Sequence, residues 1–307
     1  MSDQKQKKSS FIAIVGRPNV GKSSLLNSML GQKVAIVSQK PQTTRTRIMG
    51  VLTKAETQLV FLDTPGLLQP RNRLGEYMVR SVQESVSGVD ICILVVEAGK
   101  KISRSAMELI DRFRSLNMPA VLAINKIDLL PDKTVLMEQI SNVSQLYDFE
   151  AVVPVSAKTG SGIPALKQEL STLAKPGEHF FDDDTLTDQP ERVIASEIVR
   201  EKLLRLLNAE VPHGIGVVVE RMAERPDGNG IMDVFATIYC EREAHKAIII
   251  GKNGEMLKRV GTYAREDMER FFGCRVNLKL WVKVKENWRN LTSALRTMGY
   301  DLSGFDA

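Results

Sequence analysis

The sequence predicts an α/β domain, with a mostly parallel six-stranded sheet covered by helices on both faces, followed by a smaller α+β domain. Three observations carry that expectation. Apolar runs alternate with helix-like stretches as far as Ala174, and the alternation then breaks at a polar segment bounded by prolines. The chain of 307 residues also exceeds what one ordinary core supports.

In chain order, strands are expected at Phe11–Val15, Leu59–Asp63, Asp90–Val96, Pro119–Asn125 and Ala151–Val155, with Arg47–Thr53 adding an edge strand. Helices are expected between them at Ser23–Leu30, Leu74–Ser87, Arg104–Leu116, Lys133–Tyr147 and Ile163–Leu173. The unbroken apolar run from Ile91 to Val96 is what a parallel strand buried on both faces requires. In such sheets ligands meet the carboxyl ends of the strands. Residues 1–174 make the first domain, with 1–9 a flexible tail. That basic start has no apolar stretch behind it, so it is not read as a secretory signal.

Lys175–Pro190 reads as a linker that Phe180 and Phe181 can pin to one domain. The second domain, 191–307, starts with an apolar-periodic helix, Glu191–Leu207. Strands Gly214–Ala223 and Ile231–Cys240 follow, joined by the turn Pro226-Asp227-Gly228-Asn229-Gly230. Then come a short helix near Ala244, the loop Gly251-Lys252-Asn253-Gly254, a helix to Phe272, a strand Val276–Lys285 and a last helix Asn287–Met298.

Composition excludes some classes. Hydrophobic residues at 43% and charged residues at 26% suit a water-soluble fold, and no apolar run reaches the roughly 18 residues of a spanning helix. Cys92, Cys240 and Cys274 lie far apart without metal-ligand spacing and suit a reducing cytoplasm as small buried hydrophobes. His179, His213 and His245 are scattered, and none is read as catalytic. Between Arg242 and Arg296 thirteen Lys/Arg face six Asp/Glu, which suits either a polyanion surface or a solvated basic face.

The chemistry begins at Gly16-Arg17-Pro18-Asn19-Val20-Gly21-Lys22-Ser23, a G-x-x-x-x-G-K-[ST] loop between a strand and a helix. Backbone N–H groups of such a loop wrap a phosphate at the positive end of the helix dipole. Lys22 is expected to bridge the β- and γ-phosphates, and the Ser23 hydroxyl to ligate Mg²⁺. Asp63-Thr64-Pro65-Gly66 ends a strand, where Asp63 would hold Mg²⁺ through water and the Gly66 N–H would reach the γ-phosphate. Asn125-Lys126-Ile127-Asp128 supplies a base filter. Its Asp128 carboxylate accepts two hydrogen bonds from guanine, and adenine offers no such donor pair. Asn125 would support the loop and base edge, and the Lys126 stem the ring face. In Ser156-Ala157-Lys158 the Ala157 N–H would meet the guanine carbonyl.

Between these lies the polar stretch Ser38–Arg45, whose threonine would complete Mg²⁺ coordination with GTP bound and release it after hydrolysis. Thr44 is favoured, with Thr43 its rival. Leu67 stands where some GTPases carry a water-orienting glutamine, so intrinsic hydrolysis is expected to be slow. Asn19 would help hold a monovalent cation, K⁺, against the phosphates. Lys22, Thr44, Gly66 and Asn19 are the residues assigned to the reaction.

With GRPNVGKS, PQTTR, DTPG, NKID and SAK in one chain, the first half resembles the translation-factor-related GTPases. The Gly251–Gly254 loop behind it makes the whole chain similar to the Era family, a P-loop GTPase domain followed by a type II KH RNA-binding domain. The resemblance spans nearly all of the chain, including the tail VKVKENWRNLTSALRTMGY. Ser24, counted with the GTP-binding residues, stands where a threonine is common, and Asp182-Asp183-Asp184 lies in a variable linker. The resemblance implies hydrolysis of GTP to GDP and phosphate, binding of the 3′ end of 16S rRNA and the 30S subunit, and promotion of small-subunit assembly linked to growth and division. It implies a cytoplasmic monomer, partly peripheral on the membrane, with no DNA partner.

In a KH domain the GxxG loop brings backbone N–H groups to the phosphates of a single strand. Gly251, Lys252, Asn253, Gly254 and Lys258 are the implied RNA contacts, on an apolar floor of Ile248–Ile250, Met256, Leu257 and Val260. GTP is expected to order Pro41–Arg45, alter domain packing and open the groove to RNA. The rival is a peripheral membrane GTPase, which Trp281 and Trp288 among Lys283, Lys285 and Arg289 keep open. A tRNA-modifying GTPase lacks a catalytic cysteine motif or second cofactor site.

Overall fold

Continuous apolar runs with β-branched residues form strands that are buried from both sides, and among the described residues four strands do so within one sheet. The computed structural model describes residues 6–40, 42–66, 70, 72–207, 211–226, 229–300 and 302. These fall into two compact units, one of Met1–Ala35, Thr44–Gln69 and Met78–Asp188, the other of Ile36–Thr43, Pro70–Tyr77 and Gln189–Ala307.

The first unit contains β1 (Lys8–Val15), α1 (Lys22–Leu30), β2 (Ile48–Lys54), β3 (Thr57–Asp63), most of α2 (Arg73–Ser87), β4 (Ile91–Glu97), α3 (Arg104–Leu116), β5 (Ala120–Asn125), α4 (Lys133–Ser144), β6 (Ala151–Pro154), α5 (Ile163–Leu173) and β7 (Lys175–Pro176). The sheet order is β2-β3-β1-β4-β5-β6, with β7 beside the start of β1. All pairings along the order are parallel except the β2–β3 hairpin. Alternation sends Ile12 and Ile14 to a core with Leu25, Phe61 and Leu166, and Ala13 and Val15 to one with Ile110 and Phe113 on the opposite face.

The start of the first strand differs from expectation. β1 starts at Lys8 rather than Phe11, so the last residues of the expected tail are sheet. Lys8 and Ser9 are drawn in because Thr57 and Gln58 pair on one side and Lys175 and Pro176 on the other. The polar segment after α5 is equally anchored. The amides of Phe180 and Phe181 both donate to Gln58 Oε1 (2.8 and 3.0 Å), and the Phe180 ring stacks on Phe11 with centroids 4.6 Å apart.

The second unit contains α6 (Glu191–Leu206), β8 (Gly216–Glu224), β9 (Ile231–Cys240), α7 (Glu243–Ile250), α8 (Glu255–Phe272), β10 (Arg275–Val284) and α9 (Thr292–Thr297). Its three-stranded sheet runs β10-β9-β8, parallel between β9 and β10 and antiparallel between β8 and β9. One sheet face joins Ile198, Leu203, Val260, Ala264 and Met268 of the helices in a single core. The expected last helix is instead a 3₁₀ turn, Trp288–Asn290, and α9, separated by extended Leu291. Trp288 is fully buried there, with its indole N–H donating to Gly214 O at 2.9 Å.

α6 buries charge as well as apolar surface. Glu201 is buried between Lys202 (3.3 Å) and Arg205 (2.9 Å), and Lys202 also pairs with Asp267 of α8. Glu201 Oε1 accepts from the Val37 N–H at 3.0 Å. Arg200, paired with Glu197, donates to the carbonyls of Gln42 and Thr43. Within this unit α6 therefore grips the backbone of Ile36–Thr43 from both ends.

Candidate nucleotide site and RNA loop

The sheet order reverses at β1, so the loop after Val15 opens at the carboxyl edge where a ligand can enter. Gly16 (φ 147°) and Gly21 (φ 99°) shape that loop. A Cβ on Gly16 would lie 2.5 Å from Val95 O, and one on Gly21 2.2 Å from Asn125 Nδ2. Only glycine fits at either position. Asn19, also at positive φ (65°), is exposed, as is Arg17. A Cβ on Gly66 would meet the Pro18 backbone at 2.7 Å, so the two phosphate-facing loops touch.

Lys22 is buried, with its ammonium donating to Gly16 O (3.2 Å) and Arg17 O (3.1 Å). Burial pulls it down to about 8, against the attraction of Asp63. Asp63 at the end of β3 is fully buried. Burial pushes its carboxyl up to about 6, opposed by Lys22, the Ser23 and Thr44 hydroxyls and the Thr64 N–H. Ser23 Oγ donates to Asp63 Oδ2 (2.6 Å) and meets Thr44 Oγ1 (2.8 Å), which itself lies 3.3 Å from Oδ2. The other oxygen, Oδ1, is buried without a hydrogen-bond partner.

A carboxylate with one orphaned oxygen beside two hydroxyls fits a hard, oxygen-seeking cation such as Mg²⁺. Thr44 is the threonine brought to this cluster. The Thr43 hydroxyl is held instead by Ser38 Oγ and Lys40 O. Thr64 is turned away, donating to Ile14 O at 2.8 Å, which fixes β3 against β1. Pro65 is buried beside it, and Ser24 is half-buried on α1. Leu67 and Pro41 lie outside the described residues.

The base loops come from β5 and β6. Asn125 is buried and braces the site: Nδ2 donates to Val20 O (2.8 Å) and Oδ1 accepts from the Ala157 N–H (3.0 Å). The Ala157 N–H expected at a guanine carbonyl is thus bonded to Asn125. Asp128 is exposed, with Oδ1 accepting from Ser156 Oγ at 2.6 Å, which aims the carboxylate. Ser156 is in turn fixed by the Thr159 N–H (3.2 Å). Lys126 (φ 70°) pairs with Glu97 at 2.9 Å, and Lys158 is exposed. Glu97 was not singled out from the sequence. Its signal is register, since it lies opposite Asn125 across β4 and β5.

The GxxG loop joins α7 to α8. Gly251 (φ 73°), Asn253 (φ 50°) and Gly254 (φ 79°) all take positive φ, and a Cβ on Gly251 would crowd Met256 at 2.7 Å. Lys252, Asn253, Lys258 and Arg259 are exposed. The expected apolar floor divides. Ile249 and Val260 belong to the core, Met256 and Leu257 pack at its edge, and Ile248 is exposed. Tyr263, one turn beyond Arg259, adds an exposed ring that sequence reasoning passed over.

Comparison with known proteins matches both halves. A family described as "50S ribosome-binding GTPase" matches residues 11–126, and one described as "KH domain" matches residues 210–289. GTPase Era of Clostridioides difficile (strain 630) is 48% identical, covering 96% of this chain and 99% of its own. GTPase Era of Ruminiclostridium cellulolyticum is 47% identical over 95% and 97% of the two chains. Among solved structures, a tyrosine-to-alanine variant of Aquifex aeolicus Era bound to GDP·AlF₄⁻ superimposes with a TM-score of 0.92 at 37% identity, covering 96% of this chain and all of that one. Era in complex with MgGDPNP and nucleotides 1506–1542 of 16S ribosomal RNA matches with the same TM-score of 0.92, identity of 37% and coverage.

Proposed function

The chain belongs to the Era family of GTPases, and from that membership we propose a switch that holds the 3′ end of 16S rRNA and times small-subunit assembly. It hydrolyses GTP. RNA binding falls to the KH domain, and the observation that carries the reading is a GTP site and an exposed GxxG turn in one chain.

Lys22, with the Gly16–Ser23 amides, takes the phosphates, and Asp128 reads guanine. Ser23, Thr44 and Asp63 are the residues to hold Mg²⁺, which when bound neutralises charge between the phosphates. Asn19 is proposed to hold K⁺ there, in which case turnover is faster in K⁺ than in Na⁺, and equal rates exclude it. Gly251, Lys252, Asn253, Gly254 and Lys258 contact RNA phosphates.

The 30S particle is the proposed partner and the protein acts as a monomer in the cytoplasm. No helix among the described residues is long and apolar enough to cross a membrane. The peripheral-membrane reading drew on Trp281 and Trp288 among the basic residues of the C-terminal segment, of which Trp281 is exposed on β10 and Trp288 is core, leaving Trp281 alone to meet a membrane. Crosslinking in cells followed by sequencing of the bound RNA tests the proposal. Recovery of the 16S 3′ end, lost on changing Lys252 and Asn253 to Asp, is expected. Recovery of unrelated RNA, or no change in the variant, overturns it.

A further inference from the structure

The helices of the second unit cover one face of its sheet, leaving a second face with its own composition. In β10 the even positions Val276, Leu278, Leu280, Val282 and Val284 enter the core, and the odd positions point away. Lys279, Trp281 and Lys283 are exposed there, opposite Phe235, Thr237 and Tyr239 of β9. Trp281 is 46% exposed, and its ring centroid lies 5.9 Å from that of Phe235. Lys279 and Arg221 stand 5.7 and 5.8 Å from the Phe235 centroid, and Lys285 stands 5.8 Å from that of Tyr239.

The carboxylates of this face are already engaged. Asp233 is held by Arg225 (2.9 Å) and Asn277 (2.6 Å). Glu220 takes the Thr237 hydroxyl (2.7 Å) and faces Lys283 at 3.9 Å. Among the described residues neither Arg221 nor Lys279 has an ion pair, so their charge is available to a polyanion. Rings flanked by cations on a sheet face are a stacking platform for bases, with lysines placed for the phosphates between them. From Phe235 onward the outward positions carry no leucine or isoleucine to sink into acyl chains, which disfavours a lipid surface.

We propose that this face, built on Phe235, Trp281, Lys279 and Arg221, is a second RNA contact that takes single-stranded RNA flanking the piece held by the GxxG loop. It rests on the RNA-binding reading above. β10 is an edge of the sheet, so one strand can leave the GxxG helices and pass around that edge onto the reverse face.

Trp281 reports its own occupancy, because Trp288 is buried. The full chain is titrated with a 16S 3′-terminal RNA of about ten nucleotides and with the same RNA extended to about twenty-five. Quenching by the longer RNA only is expected, absent in Trp281→Phe, which keeps Trp288. Trp281→Ala and Lys279→Glu each weaken the longer RNA about tenfold and leave the shorter unchanged. Binding of both RNAs without quenching, or with equal affinity in the variants, overturns the second contact and leaves the GxxG reading standing. Failure of the unaltered chain to bind either RNA overturns both. Quenching by vesicles of anionic lipid but not by RNA assigns the face to a membrane.

Discussion

Asp128 and Ser156 come from loops after different strands, and their 2.6 Å contact aims the carboxylate of an exposed residue. Asp128→Asn therefore moves preference from GTP toward xanthosine triphosphate by more than about a hundredfold, measured by competition binding. Unchanged GTP affinity would place base recognition elsewhere. Asp63 and Lys22 set a pH dependence. With its folded value raised from 3.8 to about 6, Asp63 favours folding most at low pH, and that contribution is lost as pH rises through about 6. Lys22, lowered from 10.5 to about 8, costs stability below about 8 and ceases to above 10.5. Both groups are charged and buried between, so bound phosphate and Mg²⁺ relieve a cost carried at neutral pH. The rise in Tm on adding Mg²⁺ and GDP is expected to shrink as pH falls from 7 through 6, where Asp63 takes up its proton. A pH-independent rise would remove Asp63 from the metal site. At this scale the motifs were legible because each tetrapeptide ends a strand. The bond from Ala157 to Asn125 and the Lys126–Glu97 pair were not, since each is set by packing between segments distant in sequence.

α6 was read as an amphipathic helix from Ile194, Ile198 and Leu203, and those residues are core. The pattern could not show that its charged face is buried too, because the partners Asp267, Val37 and Thr43 lie far off in sequence. Removing one partner of a buried charge network leaves the others unpaired. Glu201→Ala is expected to cost about 3–5 kcal/mol in urea unfolding and to speed hydrogen exchange at Val37. A cost under about 1 kcal/mol would mean that water replaces the carboxylate. β10 was readable to within one residue at each end, since its strict alternation is a period of two. The last helix was misread as continuous because burying Trp288 against Gly214 requires the break at Leu291, which helix propensity does not record.

For the molecule as a whole, the order of motifs announced a GTPase domain and then a KH domain, and sequence sufficed because each motif is local. Coupling between nucleotide and RNA is not local. The segment Ile36–Thr43 precedes Thr44, and its backbone is held by Arg200, Glu201 and Arg205 of α6. A nucleotide that recruits Thr44 therefore pulls on a segment fixed to α6, the helix that precedes the KH match at residues 210–289. Linkage makes such coupling reciprocal, with typical factors of about 5 to 150. The direct measurement is the affinity of the full chain for the 3′-terminal segment of 16S rRNA with GDPNP, with GDP and without nucleotide, beside the affinity for GDPNP with and without that RNA. A switch binds the RNA at least about fivefold tighter with GDPNP than with GDP, and the RNA tightens GDPNP relative to GDP by the same factor. Equal RNA affinity in all three states would leave a GTPase and an RNA-binding domain that share a chain without acting on each other.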